Sequence, residues 1–162
     1  MRKMVWITAL LILLSGCAGQ ETFETVTDEM VAPVLVEARQ IIVELPEDAA
    51  APTVESENGS LYICQGYEIG IQTLEAGDLD ATIRSVSGYG AEDLTLIRTV
   101  VGDMDRYDFV WACAGETGDR VGRGAVLDDG NYHYVLTVIS DAEDAMQFEE
   151  VWQKMFQSFS VV

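Results

Sequence analysis

Four stretches in the second half of the chain alternate apolar and polar residues at strand period, and only short polar turns join them. They are residues 94–101, 107–114, 121–127 and 132–139, separated by Gly102-Asp103, by residues 115–118 and by Asp128-Asp129-Gly130-Asn131. Turns this short make neighbouring strands antiparallel, because a parallel crossover needs a dozen or more residues. Tyr107, Phe109, Trp111 and Cys113 fall on one strand face, and Tyr132, Tyr134, Leu136 and Val138 fall on one face of another. Both rows should point at a core.

Upstream the pattern is similar. Asn58-Gly59 predicts a hairpin turn between residues 53–55 and 61–64, and Tyr67, Ile69 and Ile71 alternate with polar or small residues. Ile41-Ile42-Val43 is a short β-branched run between Pro33 and Pro46. Asp78 offers an N-cap to a short helix that places Leu79, Thr82, Ile83 and Val86 on one face, with Gly88 placed to end it. At the C-terminus, Ser140-Asp141-Ala142-Glu143 matches a capping box, and Phe148, Val151, Trp152, Met155, Phe156 and Phe159 then recur at helical spacing. A face this aromatic must be buried. The expected fold class is therefore α+β: an antiparallel β-sheet flanked by a C-terminal α-helix and one shorter helix.

The N-terminus carries an address. Arg2 and Lys3 precede an apolar run from Val5 to Leu14, and Leu14-Ser15-Gly16-Cys17 follows. About 20 apolar residues are needed to cross a bilayer, so a run of this length reads as a secretory signal. Its ending resembles the lipobox of bacterial lipoproteins. That resemblance implies that residues 1–16 are removed and that Cys17 receives a diacylglycerol thioether, becoming the mature N-terminus. The domain scheme expected is a signal peptide over 1–16, lipidated Cys17 and tether over 17–28, and a single α+β domain over 29–162. The protein is expected at the cell envelope, lipid-anchored on the extracytoplasmic side, with its membrane partner reached through the anchor.

Charge excludes some partners. The leader holds two of the nine basic residues and no acid, so the mature chain keeps seven against 28 acidic ones, a net charge of −21. Nucleic acid is excluded, because phosphate contacts require clustered Lys and Arg. Docking on anionic lipid is disfavoured for the same reason. Solubility and self-repulsion at a crowded surface account for the acidity; a cationic partner, such as a basic protein face or a divalent metal, is the functional alternative. With Cys17 acylated, Cys64 and Cys113 remain as a candidate disulfide, which an oxidising compartment would permit. Burial of two separate thiols as small apolar fillers is the alternative. A zinc site does not fit, since His133 is the sole histidine and no CxxC is present.

The closing order of elements carries a second resemblance. Asp-Asp-Gly-Asn-Tyr-His-Tyr-Val-Leu-Thr-Val-Ile, a Ser-x-x-Glu cap and a terminal helix ending Trp-Gln-Lys-Met-Phe-Gln-Ser-Phe look like bacterial lipoproteins of the PsbP/Mog-like fold, over about residues 60–162. The family implies an antiparallel sheet flanked by helices and mostly non-catalytic work, in extrinsic subunits of membrane complexes or small partner-binding proteins. No family binding motif is matched, so no binding residue is carried over.

Candidate chemistry is thin. Asp103, Asp105 and Asp108 are hard oxygen donors close enough in sequence to suggest a Ca²⁺ site, but they lack EF-hand spacing and a solvated turn accounts for them. Asp128, Asp129 and His133 could suggest acid–base chemistry; strand alternation puts His133 opposite Tyr132 and Tyr134, toward solvent. Gly88-Tyr89-Gly90 and Gly122-Arg123-Gly124 are not phosphate loops, because neither joins a strand to a helix N-terminus. The expectation is a non-enzyme without cofactors that binds or supports an envelope partner. A small-ligand- or Ca²⁺-binding surface lipoprotein is the alternative.

Overall fold

Residues 36–115 and 118–162 are described by the computed structural model. The lipobox with Cys17, the tether and residues 29–35 lie outside them. The elements run β1 (Ile41–Ile42), β2 (Val54–Ser56), β3 (Gly59–Ile63), β4 (Tyr67–Glu75), α1 (Leu79–Ser87), β5 (Ile97–Val101), β6 (Met104–Ala114), β7 (Asp119–Asp128), β8 (Tyr132–Asp141), α2 (Glu149–Ser158) and β9 (Ser160–Val161). Seven strands form one sheet in the order β2-β3-β4-β8-β7-β6-β5, antiparallel at every step. β1 and β9 pair separately. The fold is α+β, with an antiparallel sheet, a C-terminal helix and one shorter helix.

β5 to β8 are sequential neighbours, as their short turns require. β4 pairs with β8 instead, and the chain crosses from β4 to β5 at the far edge through α1. That crossover lays α1 on one face of the sheet, where Ile83 packs with Phe109, Trp111, Val126 and Val135. On the other face Trp152, Met155 and Phe156 of α2, followed by Phe159, pack with Tyr67, Ile69, Leu127, Tyr134, Leu136 and Val138. The two aromatic rows read from the sequence thus reach two cores on opposite faces. Each buried Leu, Ile or Phe adds about 1.5–3 kcal/mol of transfer energy.

The helix ends separate correct local signals from overridden ones. Asp78 caps α1 by accepting from the Asp80 N–H at 3.0 Å, and Gly88 closes it in the left-handed conformation at φ 80°. The capping box at 140–143 does not form. Ser140 and Asp141 are the last residues of β8, paired to Val121 and Arg120 of β7, and α2 starts only at Glu149, after a single 3-10 turn over Ala145–Phe148. Two strand neighbours supply Ser140 with more partners than a local cap would. The hairpin at Asn58-Gly59 forms one residue early, with Ser56 opposite Gly59.

Candidate functional site

A seven-stranded sheet is roughly 30 Å wide, while one helix with its side chains spans about 10 Å. α2 therefore covers the inner strands, Met104 at the start of β6 still belongs to its core, and among the described residues the face is open further along, at Ile97 of β5 and Val110 of β6. Asp108 and Val110 share a face of β6, and Ile97 lies opposite Asp108 in register. Ile97 and Val110 are 61% and 63% exposed, and Met146, in the turn leading into α2, is 85% exposed. Between them runs a trough. Its apolar end, about 550 Å³, is lined by Val110, Ala112, Val121, Ala145, Met146 and Trp152. Its more polar end, also about 550 Å³, is lined by Ile97, Arg106, Asp108, Gln153 and Phe156. Arg123 and Glu149 line both ends.

Arg123 is positioned by its neighbours. Gly122 and Gly124 pair with Trp111 and Phe109, and a Cβ at either glycine would collide with the facing ring. The glycines admit the aromatics on the α1 face, so Arg123 alone projects from this part of β7 toward α2. There its guanidinium stands 4.2 Å from the centre of the Phe156 ring, a stacking contact that fixes its orientation. Burial pulls its pKa below the ordinary arginine value, and Arg106 adds to that against the opposing effect of Asp108. Among the described residues Arg123 has no ion pair. The other five arginines of the mature chain are paired: Arg39 with Asp103, Arg84 with Asp80, Arg98 with Asp105, Arg106 with Asp108 and Arg120 with Glu68, at 2.7–3.1 Å. Trp152 is 7% exposed, and its Nε1–H has no hydrogen-bond partner among the described residues. An unmet buried donor is uncommon in a native fold.

Of the residues singled out from sequence for chemistry, Asp108 lines the trough and the others lie elsewhere. Asp103, Asp105 and Asp108 are not brought together, because Arg39, Arg98 and Arg106 each draw one of them aside. The hydrogen bond from Arg39 also holds Asp103 below the usual carboxylate range. His133 is not on a solvent face. It is 1% exposed, its Nδ1 lies 2.8 Å from Thr82 Oγ1 of α1, and its Nε2 is 3.7 Å from Asp128. Alternation predicted the correct side of the strand, but α1 covers that side as well. Asp129 shapes the turn, accepting from the N–H groups of Asn131 and Tyr132 and from the Tyr134 hydroxyl. Burial pushes its carboxyl up, but those hydrogen bonds and the charge of Arg39 together hold it below its ordinary range.

Cys64 and Cys113 are free thiols. They pack on opposite faces of the sheet, Cys64 with the α2 core and Cys113 with the α1 core, so the candidate disulfide does not form. Burial, then the charge of Asp48, raises the Cys64 pKa, which suits a filler. A cleft of about 810 Å³ lies between residues 38–41 and the β3–β4 hairpin, and its arginine, Arg39, is already spent on Asp103 and Asp129. A hollow of about 300 Å³ lies at the β2–β3 edge and includes Val54, but no charged side chain lines it. Among the described residues, no helix is long and apolar enough to cross a membrane.

No family model matches the sequence, and no curated protein matches it. Among solved structures, the chain is similar to LpqN of Mycobacterium tuberculosis, a protein involved in cell envelope biogenesis, with a TM-score of 0.50 and 11% identity over 77% of this chain and 84% of LpqN. A protein of unknown function from Pseudomonas aeruginosa, PA94, aligns with a TM-score of 0.47 and 15% identity over 80% of this chain and 88% of that one. The likeness to LpqN is one of fold.

Proposed function

We propose that this chain is a lipid-anchored, non-catalytic docking protein on the extracytoplasmic side of the cell envelope, and that the trough beside α2 is the surface it offers to a protein partner. The observation that carries the reading is the uncovered apolar strip of Ile97, Val110 and Met146 beside a well-packed helix. Contiguous exposed apolar surface marks interaction sites in soluble domains. The trough is open along its length, whereas a small-ligand site buries most of its ligand. The one histidine is enclosed under α1 and engaged by Thr82, out of reach of a substrate.

The envelope half of the proposal rests on the lipobox-like leader and on the likeness to bacterial lipoproteins, and the shared fold with an envelope-biogenesis protein agrees with it. Two acyl chains on Cys17 would give stable attachment without help from the domain. Replacing Cys17 with Ala should abolish lipid labelling and release the protein from membranes; unchanged labelling would sink the anchor. For docking, a photo-crosslinking amino acid at position 110 or 146 should yield a discrete adduct in intact cells. The same group at exposed Glu92, beside α1, should not. Silence at 110 and 146, or equal adducts at all three, defeats the proposal.

A further inference from the structure

We propose that the trough receives an amphipathic helix of a protein partner, whose apolar face carries one acidic side chain that pairs with Arg123. This rests on the docking reading and names the chemistry of the partner. The geometry of the layer is the first argument. Among the described residues Ile97 of β5 and Val110 of β6 are uncovered on the α2 side, and two strands about 4.8 Å apart make a strip about as wide as one helix packed at the usual 8–10 Å from α2. At one end its floor is apolar, through Val110 and Ala112 with Met146 at the mouth; at the other, Ile97 stands beside the Arg106–Asp108 pair. An amphipathic helix laid in such a groove anchors through residues spaced three and four apart.

Charge is the second argument. In a chain where acids outnumber bases so heavily, five of the six mature-chain arginines hold a carboxylate, and Arg123 holds none among the described residues. It sits half-buried where the two ends of the trough meet, fixed against Phe156. A half-buried guanidinium with no carboxylate at ion-pair distance keeps unused donors, and a carboxylate supplied by an incoming helix would take charge-assisted hydrogen bonds from them. Glu149 on the opposite wall and the Arg106–Asp108 pair restrict the place where an incoming acid is welcome to the neighbourhood of Arg123.

Other occupants fit less well. A strand added to the edge of β5 would have two strands between it and β7 and leave Arg123 uncovered. A second copy brings the same strongly negative charge, and its two described helices already spend their apolar faces on their own sheet.

The test uses the full mature chain with Cys17→Ser, so that no acyl chain competes for the trough. The probes are two fluorescein-labelled 18-residue alanine–leucine helices, one with a single Glu at the centre of its leucine face and one with Gln there. Anisotropy titration should show saturable binding of the Glu helix and roughly tenfold weaker binding of the Gln helix, the usual worth of one charge-assisted contact. Arg123→Gln should erase the difference, and Arg123→Lys should keep part of it. Equal binding of the two helices, binding of neither, or a Glu preference that survives Arg123→Gln overturns the inference. Adducts at Met146 in cells that map to a second copy, or to residues 17–35 of the same chain, overturn it as well. Helices that bind alike while cells still yield partner adducts at Met146 defeat the acidic helix but leave the docking surface standing.

Discussion

Within β6, Trp111 is 6% exposed and Val110, the residue before it, is ten times more so. Both are large and apolar, both sit mid-strand, and both pair with β7. The difference lies in what crosses each face. On the Trp111 side, α1 is joined by Leu94 and Leu96 of the segment leading into β5, so the lid extends over β6. On the Val110 side, α2 follows β8 through one 3-10 turn and ends at β9; Arg39 and Phe159 reach the start of β6 at Met104 and Arg106, but Val110 further along stays open. Apolar alternation therefore specifies that a strand has two usable faces, while the connection between elements decides which face is closed. The open part of the second face is the surface proposed above for a partner.

The largest effects should fall where the two faces are equally closed. Trp111→Ala on the α1 side and Phe156→Ala on the α2 side each remove a buried ring and should each cost about 3–5 kcal/mol, measured as a shift in urea midpoint. That is a large part of the roughly 5–15 kcal/mol that holds a domain together. A loss under 1 kcal/mol at either position would mean that its face is not a core, and the contrast drawn from β6 would fail.

A smaller effect is expected at the turn that joins the two faces. Asp128 reaches His133 on the α1 side, while Asp129 binds Tyr134 on the α2 side. Because the folded pKa of Asp129 lies below its unfolded value, its contribution is fully present above the ordinary carboxylate pKa of about 4 and fades as pH falls through the folded value. Asp129→Asn should thus cost about 1–3 kcal/mol at neutral pH, the worth of hydrogen bonds to a charged group, and progressively less as pH falls below about 4. A deficit that stays constant from pH 7 to pH 3 would show that its charge plays no part.

Much of this architecture can be read from the chain. The four hairpin-linked strands, the Asp78–Gly88 helix and the buried aromatic face of α2 follow from period and punctuation, since local geometry and burial there agree. What fails to read is what depends on a third element. Ser140 looked like a cap because its four-residue window matches one, but pairing with β7 draws it into β8. Alternation gives His133 its correct strand side but not its environment, because no local signal reports that α1 crosses there. Cys64 and Cys113 could be paired on paper only until strand parity placed them on opposite faces. Arg123 left no mark beyond its flanking glycines. Their register against Phe109 and Trp111 is the one clue that a sequence reader could have used, and it required the β6–β7 pairing first.

The smallest expected effect is the most discriminating. If Val110 is a docking residue rather than an incompletely buried core residue, replacing it should scarcely matter to the free protein. Val110→Thr keeps the β-branched shape that suits a strand and changes one methyl to a hydroxyl at a site already open to water. Its stability should stay within about 0.5 kcal/mol of the parent, as for surface substitutions generally, whereas a buried Val→Thr leaves a hydroxyl to be desolvated and costs roughly 1–3 kcal/mol. The same variant should weaken adduct formation from a crosslinker at position 146, because the hydroxyl faces whatever the trough binds. A stability loss above 1 kcal/mol would place Val110 inside the core, and the two faces of β6 would then differ in degree alone.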